Sequence, residues 1–226
     1  MSVSILALTT VTETCSVALM NNNNIDSLIE ITPRNHSQHI LPMVKQLLES
    51  HNLMLSQLNA IAFNCGPGSF TGIRISTCIA QGLALGSSVP LISISSMKTI
   101  AEAAWQCLGA THVLSAIDAS RNTIYWAEYT RDNQGFWQSK TSEIVISYKD
   151  ALERIKKLDG KWTAVGNAWK IYPSLLCICN TCNIRFSKIE HLNAKYMLFL
   201  AYQKWQSGKI LSPEEVKSVY LSKKFI

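Results

Sequence analysis

The sequence predicts an α/β protein built from two related lobes. Three observations carry that expectation. A β-β-β-α-β-α order can be read twice along the 226 residues, 47% of the residues are hydrophobic against 16% charged, and no low-complexity linker interrupts the chain. Such a length and apolar content suffice to bury two cores. The expected division is 1–108 and 109–226, with the lobes meeting near Cys107–Thr111.

In the first half, "SVSILALTT" (Ser2–Thr10) reads as a buried strand and "TCSVALM" (Thr14–Met20) as its hairpin partner. "NNNN" (Asn21–Asn24) is turn material before a third strand, "IDSLIEI". In "HSQHILPMVKQLLESHNL", Ile40, Leu41, Val44, Leu47 and Leu48 fall on one helical stripe. Pro42 belongs to the first turn of that helix or kinks it. "LNAIAFNC" is a strand, Thr71 to about Leu85 a helix, "VPLISI" a strand, and about Ser96 to Cys107 a helix.

The second half repeats the order. "HVLSAIDAS" and "NTIYWAEYT" form a hairpin across "RN", and "FWQSKTSEIVI" continues the meander. "YKDALERIKKL" is a short amphipathic helix, "KWTAVG" a strand, and "HLNAKYMLFLAYQKWQSGK" a longer helix.

The segment richest in chemical suggestion is "CGPGSFTGIRIS" (Cys65–Ser76). A strand, a glycine-rich turn and a helix start together present backbone N–H groups to an anion, which makes Gly66, Gly68, Ser69, Thr71 and Arg74 candidate nucleotide or anion contacts. The specific phosphate motifs fail, however. Gly72 is followed by Ile73 rather than the Lys of a Walker A, and the glycines are spaced GxGxxxG rather than GxGxxG. Ser69 lacks the flanking glycines of a nucleophile elbow. No catalytic residue is assigned.

In the helix that follows, Gly72, Ser76, Ala80 and Ala84 recur every fourth residue, beside an aliphatic ridge of Ile75, Ile79 and Leu83. Removing bulk lets another helix come close, or lets this one pack tightly on its own sheet; spacing alone allows both. Arg74 calls for an acidic or phosphate partner, inside the lobe or outside it.

Other features are weaker. The seven cysteines are scattered except in "CICNTC", where Cys177 stands beside the CxxC pair Cys179 and Cys182, with no second pair to complete a zinc site. This reads as a surface turn with incidental thiols. His36 and His39, three apart, read as helix-start residues that pack or hydrogen bond, not as metal ligands. No metal is expected. Residues 1–148 carry seven basic and nine acidic residues, and residues 149–226 carry 14 and six, a balance of −2 against +8. That asymmetry suits an acidic partner such as RNA, or simply a solvated lysine-rich surface. With no membrane-length apolar run and no basic, apolar leader, a cytoplasmic protein without membrane contact is expected.

"ILALTTVTETCSVAL", "HSQHILPMV", "GPGSFTGIRIS", "AQGLALG" and "AIDAS", in that order, resemble the bacterial TsaB (YeaZ) proteins over most of residues 4–130. "VGNAW" (Val165–Trp169) and "SVYLS" (Ser218–Ser222) look like the family's later landmarks. The resemblance implies two RNase-H-like lobes of the actin-like, sugar-kinase and Hsp70 (ASKHA) type. It also implies work in making threonylcarbamoyladenosine on tRNA, as a non-catalytic partner of a TsaD-like subunit that holds the metal and transfers the group. A TsaE-like ATPase joins the complex, tRNA is met through the complex, and TsaC supplies the threonylcarbamoyl-adenylate. The implied contact uses the helices Ser37–Ser50 and Thr71–Leu85, with Ile40, Val44, Leu47, Gly72, Ile75, Ser76, Ile79, Ala80 and Leu83 in the interface. A homodimer can form through similar surfaces, and ATP or ADP is expected at the partner contact and not as this chain's own cofactor.

Three departures stand out. Thr9-Thr10 replaces the usual Asp-Thr at the end of the first strand, removing a carboxylate that would place Mg²⁺ and phosphates. The tail reads Ser218-Val219-Tyr220-Leu221-Ser222 where Pro-x-Tyr-Leu-Arg is familiar, and Ser120 separates Asp118-Ala119 from Arg121. The competing readings are a nucleotide-dependent phosphotransferase of the same fold and a tRNA-binding module that uses the basic C-terminal region.

Overall fold

Strand β1 (Ser4–Thr9) is buried along its whole length, as its unbroken run of small and apolar residues requires. The structure, a computed structural model, describes residues 3–32, 35–139, 142–179, 182–217 and 219–221. β2 (Thr14–Asn21) and β3 (Asn24–Ile31) complete an antiparallel meander in which Asn21 pairs with Asn24. Asn22 takes the left-handed conformation (φ 58°) that the turn demands, and its N–H donates to the Val3 carbonyl at 2.8 Å. Helix α1 (His36–Ser50) follows, then β4 (Ala60–Gly66), α2 (Phe70–Ser87) and β5 (Leu91–Ser95). β4 runs parallel to β1 and β5 parallel to β4, so the sheet order is β3-β2-β1-β4-β5.

The second sheet repeats that order. After α3 (Ser96–Leu108) come β6 (His112–Asp118), β7 (Thr123–Arg131), β8 (Trp137–Ser139), β9 (Ile144–Ser147) and α4 (Tyr148–Ile155). β10 (Trp162–Val165), α5 (Ala168–Ile171), α6 (Pro173–Cys179) and β11 (Ile184–Phe186) complete it. The order β11-β10-β6-β7-β8 is the first sheet reversed, with β10 parallel to both β6 and β11. This is the α/β fold of two related units that the duplicated order predicts, and of the RNase-H-like, actin-like, sugar-kinase and Hsp70 type that the resemblance implies.

Contacts divide the chain into Met1–Thr99 with Leu192–Val219, and Ile100–His191 with Tyr220–Ile226. The boundary expected at 108/109 is therefore corrected. α7 (Lys195–Gln206) packs on β1, β2, β4 and β5, so it closes the first sheet and not the second. Its N-terminal approach is fastened there by Thr14 Oγ1 donating to the Leu192 carbonyl at 2.9 Å and Ala194 N–H donating to Ser16 Oγ at 3.1 Å. The regrouping also dissolves the sequence's charge polarity. The first unit carries eight basic and six acidic residues, the second 13 and nine, balances of +2 and +4.

Each unit has its own core. In the first, Ile40, Val44, Leu47 and Leu48 of α1 and Ala80 and Ala84 of α2 pack on Leu6, Leu8, Ile61 and Phe63. In the second, Trp126 and Trp169, with ring centroids 5.9 Å apart, lie among Leu114, Ile124, Leu175 and Ile184. Beside that core, Glu102 and Arg131 form a buried ion pair, with Trp137 Nε1 donating to Glu102 Oε2 at 2.7 Å.

Several local expectations shift. Pro42 lies seven residues into α1, beyond its first turn. The β6–β7 connection is longer than "RN", with Ser120, Arg121 and Asn122 all at positive φ. The third strand of the second meander is split into β8 and β9, which pair with successive stretches of β7. "PSLLCIC" is helical, so Cys179 is buried on α6 and not on a surface turn, while Cys177 is exposed and Cys182 half-buried.

Candidate functional site

β4 ends at Gly66 (φ 112°), and a cis Gly66–Pro67 peptide leads into the turn before α2. The glycines of this turn are required by the chain's own backbone. A β-carbon on Gly66 would lie 2.6 Å from the Val219 carbonyl oxygen, and on Gly68 2.5 Å from that of Val11. On Gly72 it would lie 2.1 Å from the Thr10 carbonyl oxygen. Val219, in the "SVYLS" tail, also donates its N–H to the Cys65 carbonyl at 2.8 Å, so the tail seals the loop.

Polar groups of the loop are likewise spent internally. Ser69 N–H donates to the Val11 carbonyl at 2.9 Å, and Ser69 Oγ caps α2 by accepting from Gly72 N–H at 3.3 Å. Thr10 Oγ1, where the carboxylate-bearing strand end is expected to have a neighbour, donates to the Gly72 carbonyl at 2.7 Å. Gly66, Gly68 and Ser69 thus serve packing and capping, which corrects their expected role as anion contacts. Residues 10, 11 and 219 pack against the three glycines. Thr71 is exposed, and exposed Arg74 stacks its guanidinium 3.9 Å above the centre of the Phe70 ring.

α2 has two faces of opposite character. Gly72, Ile73, Ser76, Thr77, Ala80 and Ala84 are buried against the first sheet, so the small-residue stripe lets α2 approach its own strands. The expected interface residues Gly72, Ser76 and Ala80 are inside for that reason, and so are Ile40, Val44 and Leu47 of α1. Ile75, Ile79 and Leu83 are half-buried at the margin. The outward face carries a second small stripe, Cys78, Gly82 and Gly86, all exposed, with nothing within 4 Å of a β-carbon built on either glycine. Phe70 and Leu85, 56% and 62% exposed, flank it. The repeat Cys78-Gly82-Gly86 was visible in the sequence as a second i, i+4 series, but only the packing shows which series faces out. Where α2 ends, Leu85 borders a depression of about 550 Å³ shared with Ile210 and Pro213.

The two histidines of α1 have separate partners. His36 is buried, with Nδ1 3.2 Å from Thr32 Oγ1, and burial holds its pKa below 6.5. His39 pairs with Glu30 of β3 at 2.7 Å, and His51 with Asp26 at 3.4 Å. In the second unit the two remaining motifs meet. Asn167 of "VGNAW" accepts from Asp118 N–H of "AIDAS" at 2.9 Å, and Tyr172 donates its hydroxyl to Asp118 at 2.7 Å. Burial, then that carboxylate, push the Tyr172 phenol up to about 12. Among the described residues no helix is long and apolar enough to cross a membrane.

Comparison with known proteins places this arrangement. The family model described as TsaD, tRNA N6-adenosine threonylcarbamoyltransferase, matches residues 23–213. The tRNA threonylcarbamoyladenosine biosynthesis protein TsaB of Escherichia coli strain K12 is 43% identical over 217 residues, 96% of this chain and 94% of its own length. TsaB of Haemophilus influenzae is 36% identical, over 97% of this chain and 94% of its own. Among solved structures, YeaZ from Pseudomonas aeruginosa superposes with a TM-score of 0.83 at 32% identity, covering 97% of this chain and all of that one. A second Pseudomonas aeruginosa structure, described as an uncharacterized protein with similarity to peptidase YeaZ, gives 0.85 at 32% identity, covering 97% of this chain and all of that one.

Proposed function

The chain belongs to the TsaB family of tRNA threonylcarbamoyladenosine biosynthesis proteins, and from that premise we propose that it is the non-catalytic partner of a TsaD-like catalytic subunit. In this reading it binds and positions that subunit in the cytoplasm while the subunit transfers threonylcarbamoyl to tRNA. A TsaE-like ATPase joins the assembly, and ATP or ADP is held at the partner contact and not by this chain's loop.

The observation that carries the proposal is the outward face of α2. Exposed Phe70 and Leu85 flank a stripe of Cys78, Gly82 and Gly86 that leaves the helix backbone open to close approach. Polar residues would cover a face destined for water. The half-buried Ile75, Ile79 and Leu83 extend the same surface, so three of the residues expected at the interface stay in it. A free chain can pair with a second copy through this face. Support for a non-catalytic role comes from Ser69 and Thr10, whose hydroxyls are committed to Gly72 and not to a base or a substrate.

Reconstitution tests the reading. TsaC-, TsaD- and TsaE-type activities are combined with unmodified tRNA, with and without this chain. Modification is expected only when the chain is present; equal modification without it would discard the proposal.

A further inference from the structure

Away from the α1–α2 surface, the β2–β3 turn and α7 enclose a concavity of about 530 Å³ within the first unit. Phe199 and Tyr202 of α7 stand on one side, Asn22 and Asn23 on the other, and Met20 and Ile25 line the apolar remainder. Phe199 is 36% exposed and Ile25 53%, so large apolar area here faces solvent. Trp205 lies behind Tyr202, with ring centroids 6.2 Å apart and planes 22° from parallel. The amide side chains are presented from a fixed backbone, because the Asn22 N–H is bonded to Val3 and its φ is set by the turn.

The segment that carries α7 is one-signed in charge. Residues 191–213 contain Lys195, Lys204 and Lys209 and no Asp or Glu. Lys204 donates to the Ser93 carbonyl at 2.6 Å; Lys195, whose Nζ lies 4.9 Å from the centre of the Tyr196 ring, stands at one end of α7, and exposed Lys209 beyond the other. Asp26 and Glu30 on β3 alternate to the face of that strand opposite Ile25, where they meet His51 and His39.

An aromatic plane, amides that both donate and accept, an apolar floor and lysines at the two ends of the same helix are features that suit an unstacked nucleobase and its strand. An apolar peptide would use the floor but neither the amides nor the lysines. We propose that this pocket takes one unpaired base of an RNA strand whose phosphates pass Lys195 and Lys209. The inference rests on the tRNA-modifying role above, because that role supplies the RNA.

The test uses the full chain with fluorescein-labelled oligo-A and oligo-U decamers and an unmodified tRNA, followed by anisotropy at several salt concentrations. Tyr202→Ala and Phe199→Ala are each expected to weaken decamer binding by roughly 5- to 150-fold. Lys209→Ala, at an exposed position, should reduce the logarithmic salt slope by about 1. With wild-type chain, 4-thiouridine RNA should cross-link within residues 195–209 or 20–25, a readout that does not depend on any variant folding. No RNA binding by the wild-type chain, unchanged affinity in both aromatic variants, or cross-links confined to other segments would each overturn the pocket. If omitting the chain abolishes tRNA modification while those variants bind normally, only the pocket fails. If the variants lose RNA but omission is harmless, the scaffold reading fails and the pocket stands.

Discussion

Thr10 and Gly72 hold the loop against the first hairpin: Thr10 Oγ1 donates to the Gly72 carbonyl at 2.7 Å, and a β-carbon on Gly72 would lie 2.1 Å from the Thr10 carbonyl oxygen. The carbonyl oxygen is backbone and a β-carbon is fixed directly to the helix backbone, so neither can swing aside. Gly72→Ala is therefore expected to cost about 3 kcal/mol or more. Gly82→Ala, on the open side of the same helix, should instead stabilise by up to about 1 kcal/mol through helix propensity. Urea unfolding of the two variants checks both signs. A Gly72→Ala midpoint equal to wild type would refute the close packing.

The burial of Ala80 changes how the partner surface has to be probed. Ala80→Arg would place a cation at a fully buried position and unfold the first unit, so loss of partner binding in it would say nothing about an interface. Gly82→Arg and Leu85→Arg leave the core untouched and are expected to weaken association with a TsaD-like subunit at least tenfold at wild-type stability. Exposed Cys78 offers a variant-free readout. Its alkylation by iodoacetamide should slow when that subunit is added, while alkylation of Cys107 and Cys177 sets the reference rate. Unchanged Cys78 labelling in the complex would move the interface elsewhere.

Glu102 and Arg131 make the second unit sensitive to a single charge. Their side chains are 1% and 5% exposed, and Arg131 lies over both Trp105 and Trp137. Arg131→Met leaves a buried carboxylate with the Trp137 and Gln106 N–H donors but no counter-charge, and a loss of about 3–5 kcal/mol is expected. Replacing both partners, as Glu102→Gln with Arg131→Met, should recover part of that loss. Thermal denaturation of the two variants decides it, and equal stability would mean the pair is not desolvated.

His36 gives the first unit an acid-side dependence with a definite sign. Burial, and after it neighbouring His39, hold the His36 pKa below 6.5, so the native state favours the neutral ring. Its contribution to stability is complete above the unfolded value of 6.5 and is lost as pH falls through the lowered native value. His36→Gln should flatten the urea midpoint against pH below 6.5 and leave the curve above 7 parallel to wild type. A variant curve as steep as wild type would assign the acid dependence to other groups.

Much of the fold was legible because its signals are local. The small and apolar runs of β1 and β2, the asparagine turn and the apolar stripe of α1 each fix an element from neighbours in sequence. The division into units was not legible, because it depends on α7, whose apolar face fits either sheet. It is Thr14 and Ser16, about 178 residues earlier, that fasten its approach. The glycine loop is only a candidate anion contact in the sequence, because strand, glycine turn and helix start are shared by ligand loops and by close backbone crossings. Which one applies depends on what fills the space opposite Gly66, Gly68 and Gly72, and residues 10, 11 and 219 fill it. The two small stripes of α2 are equivalent in spacing, and the half-turn between them is set by the sheet beneath. The split of the third strand into β8 and β9 had no local signal.

Because Leu192–Val219 belongs to the first unit, Ile100–His191 of the second unit are inserted between two stretches of the first. During synthesis that inverts the usual order. Residues 100–191 can fold on the ribosome while the earlier-made first sheet still has one face uncovered. That sheet closes only once α7 has left the exit tunnel, so a nascent chain arrested near residue 190 should expose β1, β2 and β4 to chaperones. A protein whose first strand is buried along its whole length thus depends on α7 to cover it.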